Sequence, residues 1–180
     1  VADGGNPNAG FTSSAGLTET DAGLTDEGTL MLTDVDTADE VTVSHSVTAV
    51  QKDAAGELMT TNVSAPSTEQ LLAMLSLSPT PVLDSGTTTG TLNWTFDSGN
   101  EAFNFLKQGE QLVLTYTLTA DDGNGGTATQ DIAITINGTN DAPVAENDTA
   151  IAVEAGGVTN GTAGSDASGN VLSNDSDVTL

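Results

Sequence analysis

The stretch that decides the fold is QLVLTYTLTADDGNGGTATQDIAITIN, residues 111–137. In both of its halves apolar side chains alternate with polar ones, which is the pattern of a β-strand with one buried face. The inward-facing residues are Leu112, Leu114, Tyr116, Leu118, Ile132, Ile134 and Ile136. Between the halves stands DDGNGG, residues 121–126, whose composition is typical of a hairpin turn. The stretch therefore predicts two long strands joined as a hairpin.

Three further segments, GTLMLTDV, VTVSHSVTAV and TLNWTF, repeat this alternation. The predicted inward residues are Leu30, Leu32, Val41, Val43, His45, Val47, Ala49, Leu92, Trp94 and Phe96. Several short alternating strands with turn residues between them predict an all-β, antiparallel β-sandwich. The position of His45 on an apolar strand face is more typical of a hydrogen-bonded core histidine than of a catalytic one.

Two short helices are predicted in the connections between strands. The first begins after Ser67, whose spacing to Gln70 is that of a capping box, and Pro79 prevents its continuation. The second lies in GNEAFNFLKQG, residues 99–109, with Asn100 as its N-cap. The inward residues of the two helices are Leu71, Leu72, Met74, Leu75, Phe103 and Leu106. Such helices more often close the end of a sandwich than bind a partner.

The composition excludes several classes of function. The chain has 26 acidic and 2 basic residues, for a formal net charge of −24, so nucleic acid and anionic membrane surfaces are excluded as partners. No apolar run is long enough to insert into a membrane. The absence of cysteine excludes disulfides and thiolate metal sites, and a single histidine excludes a multi-histidine site. We predict that the chain is not an enzyme.

The composition also changes along the chain and predicts three regions. Residues 1–16 are interpreted as a linker or the end of a preceding module, and residues 17–141 as the β-sandwich. Residues 142–180 are small, polar and acidic, and they are interpreted as a linker and the incomplete start of a following repeat. In that last region AIAVEA and NVLSND are candidate strands.

Acidic residues are concentrated in the turns and connectors between the predicted strands. The clusters comprise Glu19 and Asp21; Asp34, Asp36, Asp39 and Glu40; Asp121 and Asp122; Asp141, Glu146 and Asp148; and Asp175 and Asp177. Two carboxylates about 4 Å apart repel each other by about 4 kcal/mol at an effective dielectric constant of about 20, and two lysines cannot offset this repulsion. Either the groups stay apart in solvent, or a divalent cation gathers them.

Calcium fits this ligand set, because it binds about six to eight oxygens from carboxylates, amides, backbone carbonyls and water. Asp34 and Asp36 place alternate carboxylates on one side of an extended segment, and Asn140 and Asp141 add oxygens in a connector bent by Pro143. Magnesium fits less well because it retains its waters. Two other interpretations stay open: an acidic surface that keeps the protein in solution at high salt, and a glycosidase carboxylate pair, which the scarcity of aromatics disfavours.

Two segments together resemble a VCBS repeat, a module found in tandem in large bacterial surface adhesins of the RTX and biofilm-associated kind. They are LTETDAGLTDEGTLMLTDVDTADEVTVS and LNWTFDSGNEAFNFLKQGEQLVLTYTLTADDGNGGTATQDIAITINGTNDAP. The similarity covers residues 17–143, and its closing motif DGNGGT…ITINGTNDAP is fairly specific to these repeats. The tail, NDTAIAVEAGG…GNVLSNDSD, resembles the start of a cadherin-like repeat.

This resemblance implies a Greek-key β-sandwich of the Ig/cadherin-like kind, with calcium bound at the junctions between modules. In cadherin-like arrays an acidic residue near the module start, an Asp-x-Asp loop and an Asn-Asp linker meet at a junction. The residues carried over are Glu19, Asp34, Asp36, Asn140 and Asp141, with Asp148 and Glu154 at the matching positions of the next module. Further candidate ligands are Asp39, Asp121 and Asp122.

The expected function is that of a calcium-rigidified structural extender in a secreted bacterial adhesin that serves cell adhesion and biofilm formation. Ca²⁺ at the junctions would stiffen a flexible string into a rod that holds a ligand-binding tip away from the cell. The alternative is that the module itself is a calcium-dependent, glycan- or protein-binding adhesion domain. The expected partners are Ca²⁺ and neighbouring repeats of the same chain. The module is expected to be monomeric and to be exported by type I secretion to the bacterial cell surface.

Overall fold

The computed structural model describes residues 8–10, 13–59 and 65–177. Within these residues the chain forms eight β-strands and one α-helix, followed by a single 3₁₀ turn at Val158–Asn160. In chain order the strands and the helix are β1 (Asn8–Gly10), β2 (Ser13–Thr18), β3 (Thr25–Thr33), β4 (Thr42–Lys52), α1 (Thr68–Ala73), β5 (Leu75–Ser78), β6 (Thr89–Asp97), β7 (Gln111–Asp121) and β8 (Thr127–Asn137).

The strands form two four-stranded sheets, ordered β1-β3-β6-β5 and β2-β8-β7-β4. The predicted all-β sandwich is thereby confirmed, and this division of strands is that of an immunoglobulin-like Greek key. One strand pair departs from the antiparallel pattern, because β2 runs parallel to β8, with Ser13 opposite Ile132. The predicted hairpin is also confirmed, since β7 and β8 pair antiparallel from Asp121↔Thr127 to Gln111↔Asn137.

The core lies between the sheets and contains most of the residues that the alternation predicts, together with Leu24, Val82 and Leu83, which it does not predict. Its largest fully buried side chains include Trp94, Tyr116, Phe96, Leu112, Leu114, Ile132, Ile134 and Ile136. His45 is half-buried, and its Nε2 lies 3.2 Å from the carbonyl oxygen of Leu72. Because a carbonyl only accepts, Nε2 carries the proton in this hydrogen bond. His45 is thus hydrogen-bonded, as the sequence predicts, but it is half-buried rather than a core residue.

The sandwich begins earlier than the sequence analysis places it. Residues 8–10 and 13–16, interpreted there as a linker, lie in β1 and β2, and Asn8 pairs with Thr33 of β3. These two strands read NAG and SSAGLT. Small and polar residues of this kind give no alternating signal, so the sequence pattern does not reveal these strands.

The first predicted helix is present but short. The Ser67 hydroxyl accepts a hydrogen bond from the Gln70 backbone N–H, and the Gln70 side chain accepts one from the Ser67 backbone N–H, which completes the predicted capping box. The helix ends at Ala73, and Leu75–Ser78 pair instead with β6 as strand β5. Among the residues described, no helix is long and apolar enough to cross a membrane.

The prediction of a second helix, at residues 99–109, is wrong. Residues 101–110 form successive turns, and Phe103 has a φ of 62°, which a helix does not accommodate. Phe103 and Leu106 are nevertheless fully buried, as predicted for the inward pair. Their spacing of three residues arises here from a turn, in which the Leu106 N–H donates to the Phe103 carbonyl at 2.9 Å.

The chain divides into two compact units, Val1–Thr139 and Asn140–Leu180. In the described part of the second unit every residue is exposed or half-buried as a whole. Isolated bridges such as Val144↔Ser176 and Val153↔Ser165 hold its backbone together. Among the residues described, the candidate strands AIAVEA and NVLSND therefore do not form as strands, because single bridges without an apolar layer do not support a sheet.

Candidate metal site

Three buried aspartates from two connections between strands meet at one end of the sandwich. Asp34 follows β3, Asp39 lies in the connection to β4, and Asp122 follows β7. Each offers a carboxylate oxygen, and these three oxygens lie within 4.8 Å of one another. The side chains are only 3%, 8% and 2% exposed, respectively. The fold therefore gathers three carboxylates in a place that is largely closed to water.

The β7–β8 turn fixes Asp122. Its Oδ1 accepts the backbone N–H of Asn124 at 2.8 Å and that of Gly126 at 2.9 Å. This wrap of the turn around one oxygen requires left-handed backbone at Gly123 (φ 74°) and Gly125 (φ 108°), conformations that glycine adopts without steric cost. The glycines of DDGNGG thus form the hairpin and also orient a carboxylate.

The connection between β3 and β4 fixes the other two carboxylates. The Oδ1 of Asp34 accepts the backbone N–H of Asp36 at 3.1 Å, and the Asp34 N–H donates to the Thr88 carbonyl at 3.0 Å. The Oδ1 of Asp39 accepts the Asn124 side-chain amide at 2.7 Å. Asn124 therefore links the β7–β8 turn to the β3–β4 connection.

Two of the carboxylates each retain an oxygen with no donor. The Oδ2 of Asp34 and the Oδ2 of Asp122 are buried and accept no hydrogen bond from the residues described. A buried polar group without a partner costs about 1–3 kcal/mol, and a charged group costs more. Such an arrangement is unfavourable unless something else supplies positive charge to these oxygens.

The two basic side chains of the protein do not supply that charge. Lys52 pairs with Gln111, which places it at the far end of β4 from the aspartates. The carbonyl of Lys107 accepts the backbone N–H of Glu110 at 2.9 Å, so Lys107 also lies at the end where β7 begins. Asp122 follows the opposite end of β7, roughly 30 Å away for a strand of this length.

The dimensions and chemistry of the cluster fit a calcium ion. Calcium–oxygen distances are about 2.3–2.6 Å, so oxygens on opposite sides of one ion are at most about 5 Å apart. A set of oxygen ligands with high negative charge favours hard cations such as Ca²⁺ over transition metals. Asp34, Asp39 and Asp122 would hold the ion. It would connect the sheet containing β3 to the sheet containing β4 and β7.

Glu19 lies at the other end of the same sandwich. It is 2% exposed, and its Oε1 accepts the backbone N–H and the hydroxyl of Thr139 at 2.8 and 3.3 Å. Because β2 runs parallel to β8, Glu19 leaves the sheet beside Asn137, opposite the end that holds Asp34. Glu19 and Asp34 therefore do not share an ion within one module. A site containing both would need a neighbouring module.

Asp36 and Asp121 flank the cluster but are not among its three close carboxylates. Asp36 is half-buried and donates its backbone N–H to Asp34, as described above. Asp121 is exposed, and its Oδ1 accepts the Gly123 backbone N–H at 2.8 Å. As direct metal ligands both remain predictions.

The other predicted ligands lie in the second unit. Asn140 donates its side-chain amide to the carbonyl of Asp141 at 2.9 Å. The Oδ2 of Asp141 is buried and accepts no hydrogen bond from the residues described. Asp148 and Glu154 are exposed. All four remain predictions as metal ligands.

Asn124 is the site residue that the sequence analysis missed. An asparagine within an Asp-Gly-Asn-Gly-Gly turn is expected from turn chemistry alone. Because turn chemistry already accounts for this asparagine, the sequence gives no sign of its contact with the carboxylate of Asp39, which lies 85 positions earlier in the chain.

No family model and no curated protein matches the chain, so membership of the VCBS family stays a prediction. Similar solved structures include the PapD-like domain 7 of human CEP192, at 14% identity and TM-score 0.42 over 74% of this chain and 84% of that one. The CooA pilin subunit of enterotoxigenic Escherichia coli matches at 13% identity and TM-score 0.39, over 73% of this chain and 97% of that one. Zebrafish RET cadherin-like domains 1 to 4 match at 13% identity and TM-score 0.33, over 76% of this chain and 27% of that one. At such identities and scores none of them carries information on function.

Proposed function

We propose that this chain is a non-enzymatic, calcium-binding extender module of a secreted bacterial adhesin. The observation that carries the proposal is the group of Asp34, Asp39 and Asp122, with its two buried oxygens that lack donors. The resemblance of residues 17–143 to VCBS repeats supplies the adhesin context, with neighbouring repeats of the same chain as partners and the bacterial surface as the location.

In this proposal the ion acts as a clasp between the two sheets. The chain has no cysteine, so a disulfide cannot join them. Extracellular calcium modules have dissociation constants of about 10⁻⁴ to 10⁻³ M. At about 10 mM Ca²⁺ one such site stabilises the folded state by about 1.4 to 2.7 kcal/mol. The predicted ligands Glu19, Asn140, Asp141, Asp148 and Glu154 would add ions at the junctions, where each ion restricts bending between modules.

The alternative, that this module itself binds a glycan or a protein, has less support. Sugar and peptide sites commonly use exposed aromatic side chains. The single Trp and the single Tyr of the chain, Trp94 and Tyr116, are buried in the core. No feature of the residues described favours this alternative over the structural role.

The proposal predicts a calcium-dependent melting temperature. Replacing EDTA by about 10 mM CaCl₂ should raise the Tm by about 4 to 10 °C, as followed by circular dichroism. In Asp122→Asn the rise in Tm caused by CaCl₂ should be much smaller than in the wild type. In EDTA this variant should be at least as stable as the wild type, because the amide oxygen still accepts the turn N–H groups while one repelling charge is gone.

The matched control is Glu27→Gln, which removes an equal charge from an exposed position on β3. This variant should show the same rise in Tm with CaCl₂ as the wild type, because Glu27 is far from the cluster. The proposal is wrong if Ca²⁺ changes neither the melting temperature nor the heat measured in a calorimetric titration of the wild type.

A further inference from the structure

The position of the Asn124 side chain suggests a role in the calcium site that goes beyond shaping a turn. Its Nδ2 donates to Asp39 Oδ1 at 2.7 Å and lies 3.4 Å from the backbone carbonyl oxygen of Asp122. The amide thus points its partial positive charge at one of the three carboxylates. In the absence of a cation, this donor partly compensates the negative charge of Asp39.

A cation among the carboxylates reverses the electrostatics at this amide. An N–H donor beside Ca²⁺ would be repelled, whereas the carbonyl oxygen of the same amide would be attracted. A half-turn about the bond between Cβ and Cγ exchanges the two atoms. The backbone does not need to move, because the N–H groups of Asn124 and Gly126 remain bound to Asp122 Oδ1.

The exchanged position suits a metal ligand. After the half-turn Asn124 Oδ1 would occupy the place of Nδ2, at 2.7 Å from Asp39 Oδ1. Two oxygens that each lie about 2.4 Å from one Ca²⁺, as neighbours in its shell of about seven ligands, are roughly 3 Å apart. The present contact between Asn124 and Asp39 is therefore about the spacing of adjacent ligands around one ion.

Resting on the proposed calcium function, we propose that Asn124 is a fourth protein ligand of the Asp34–Asp39–Asp122 site. Its side-chain amide donates to Asp39 when the site is empty and turns its oxygen to the ion when Ca²⁺ binds. The β7–β8 turn then senses calcium directly, and the same residue stabilises both states of the site.

The sign of the effect of Asn124→Ala on calcium affinity tests this assignment. A ligand role predicts binding about tenfold weaker by calorimetric titration, because the ion loses an oxygen. A role as donor only predicts equal or tighter binding, because removal of the donor destabilises only the calcium-free state. Asn93→Ala, a substitution at an exposed position on β6, is the control and should leave the affinity unchanged.

Asn124→Asp keeps the test informative even if the alanine variant weakens the turn. A carboxylate oxygen replaces the amide oxygen, so this variant should bind Ca²⁺ at least as tightly as the wild type, yet melt at a lower temperature in EDTA. In the wild type, NMR should show the Asn124 side-chain amide protons exchanging faster with water once Ca²⁺ is bound. Loss of affinity in Asn124→Asp, or unchanged affinity in Asn124→Ala, overturns the assignment. An absence of calcium binding by the wild type overturns the proposed function instead.

Discussion

Trp94 packs over a position where the opposite strand carries no side chain. Gly28 of β3 pairs directly with Trp94 of β6, and Trp94 is 2% exposed. A Cβ built at Gly28 would lie 2.6 Å from Cζ2 of the indole ring, with two further ring atoms at 2.7 Å. The ring is enclosed between the sheets and cannot move outward, so the glycine is required for close packing rather than for its backbone angles.

We expect Gly28→Ala to destabilise the folded state by about 1–3 kcal/mol, as overpacking of a filled core usually does. Urea unfolding followed by the fluorescence of Trp94, the single tryptophan of the chain, measures this directly. Gly16→Ala on β2 is the matched control, because a Cβ there meets nothing within 4 Å. Equal midpoints for the two variants would mean that the indole has room to move.

The carboxylates of the candidate metal site illustrate what a sequence can and cannot reveal about single residues. Asp34, Asp39 and Asp122 are all recognisable as candidates, because each stands in an acidic turn beside a predicted strand. Their convergence depends on the pairing of β4 with β7, which sets Thr42 opposite Asp121. Such a register results from the packing of two whole sheets, so the grouping of the ligands could not be derived from local pattern.

The attachment of α1 to its neighbouring sheet depends on two side-chain hydrogen bonds. Tyr116 of β7 donates its hydroxyl to the Leu71 carbonyl at 2.7 Å, and His45 of β4 donates to the Leu72 carbonyl. Both acceptors lie in the last turn of the helix, where the i→i+4 pattern of backbone hydrogen bonds ends. The Leu71 carbonyl also accepts the backbone N–H of the C-cap residue Met74 at 3.2 Å. Leu71 itself is 3% exposed. The helix therefore covers one side of the core, beside the middle of β4 and β7, whereas the sequence analysis places such helices at the end of the sandwich.

The phenol of Tyr116 should make this attachment sensitive to alkaline pH. Burial raises the pKa of Tyr116 above its ordinary value of 10.0. The folded state holds the proton more tightly than the unfolded state, so this stabilisation is complete below about pH 10 and is lost as the pH rises further. The free energy of unfolding should fall by up to about 1.4 kcal/mol per pH unit there.

Urea midpoints measured at a series of alkaline pH values check this, together with the ultraviolet absorbance of tyrosinate. Ionisation of the single tyrosine should coincide with unfolding. Tyr116→Phe should have lower stability at neutral pH, because it lacks the hydrogen bond to Leu71, but its midpoint should depend much less on pH. Ionisation of Tyr116 in a chain that stays folded would contradict the expected coupling.

The elements that the sequence predicts correctly are those whose burial pattern is regular. Strands β3, β4, β6, β7 and β8 have one face in the core, and their apolar residues recur at every second position. For the start of strand β5 the sequence predicts a helix, because the leucines within residues 71–77 fit the helical period as well as the strand period. Strands β1 and β2 carry mostly small and polar residues and give no alternating signal, and Phe103 adopts a left-handed turn that no local preference indicates.

The protein as a whole carries a formal net charge of −24. Such a charge repels itself and destabilises any compact state, particularly at low ionic strength. Monovalent salt relieves this repulsion by screening, and the effect grows gradually as the Debye length falls from roughly 30 Å at 0.01 M to roughly 3 Å at 1 M. A bound ion acts differently, because its effect saturates once the site is filled.

These two effects can be separated in one set of melting curves. In EDTA the Tm should rise gradually with NaCl, because the whole acidic surface is being screened. At about 1 M NaCl, addition of about 10 mM CaCl₂ should still raise the Tm, since buried charges are screened far less than exposed ones. The double variant Asp34→Asn/Asp122→Asn should keep the response to NaCl and lose the increment from calcium. If Ca²⁺ adds nothing at high NaCl, its effect is general screening of an acidic surface, and the clasp between the sheets does not exist.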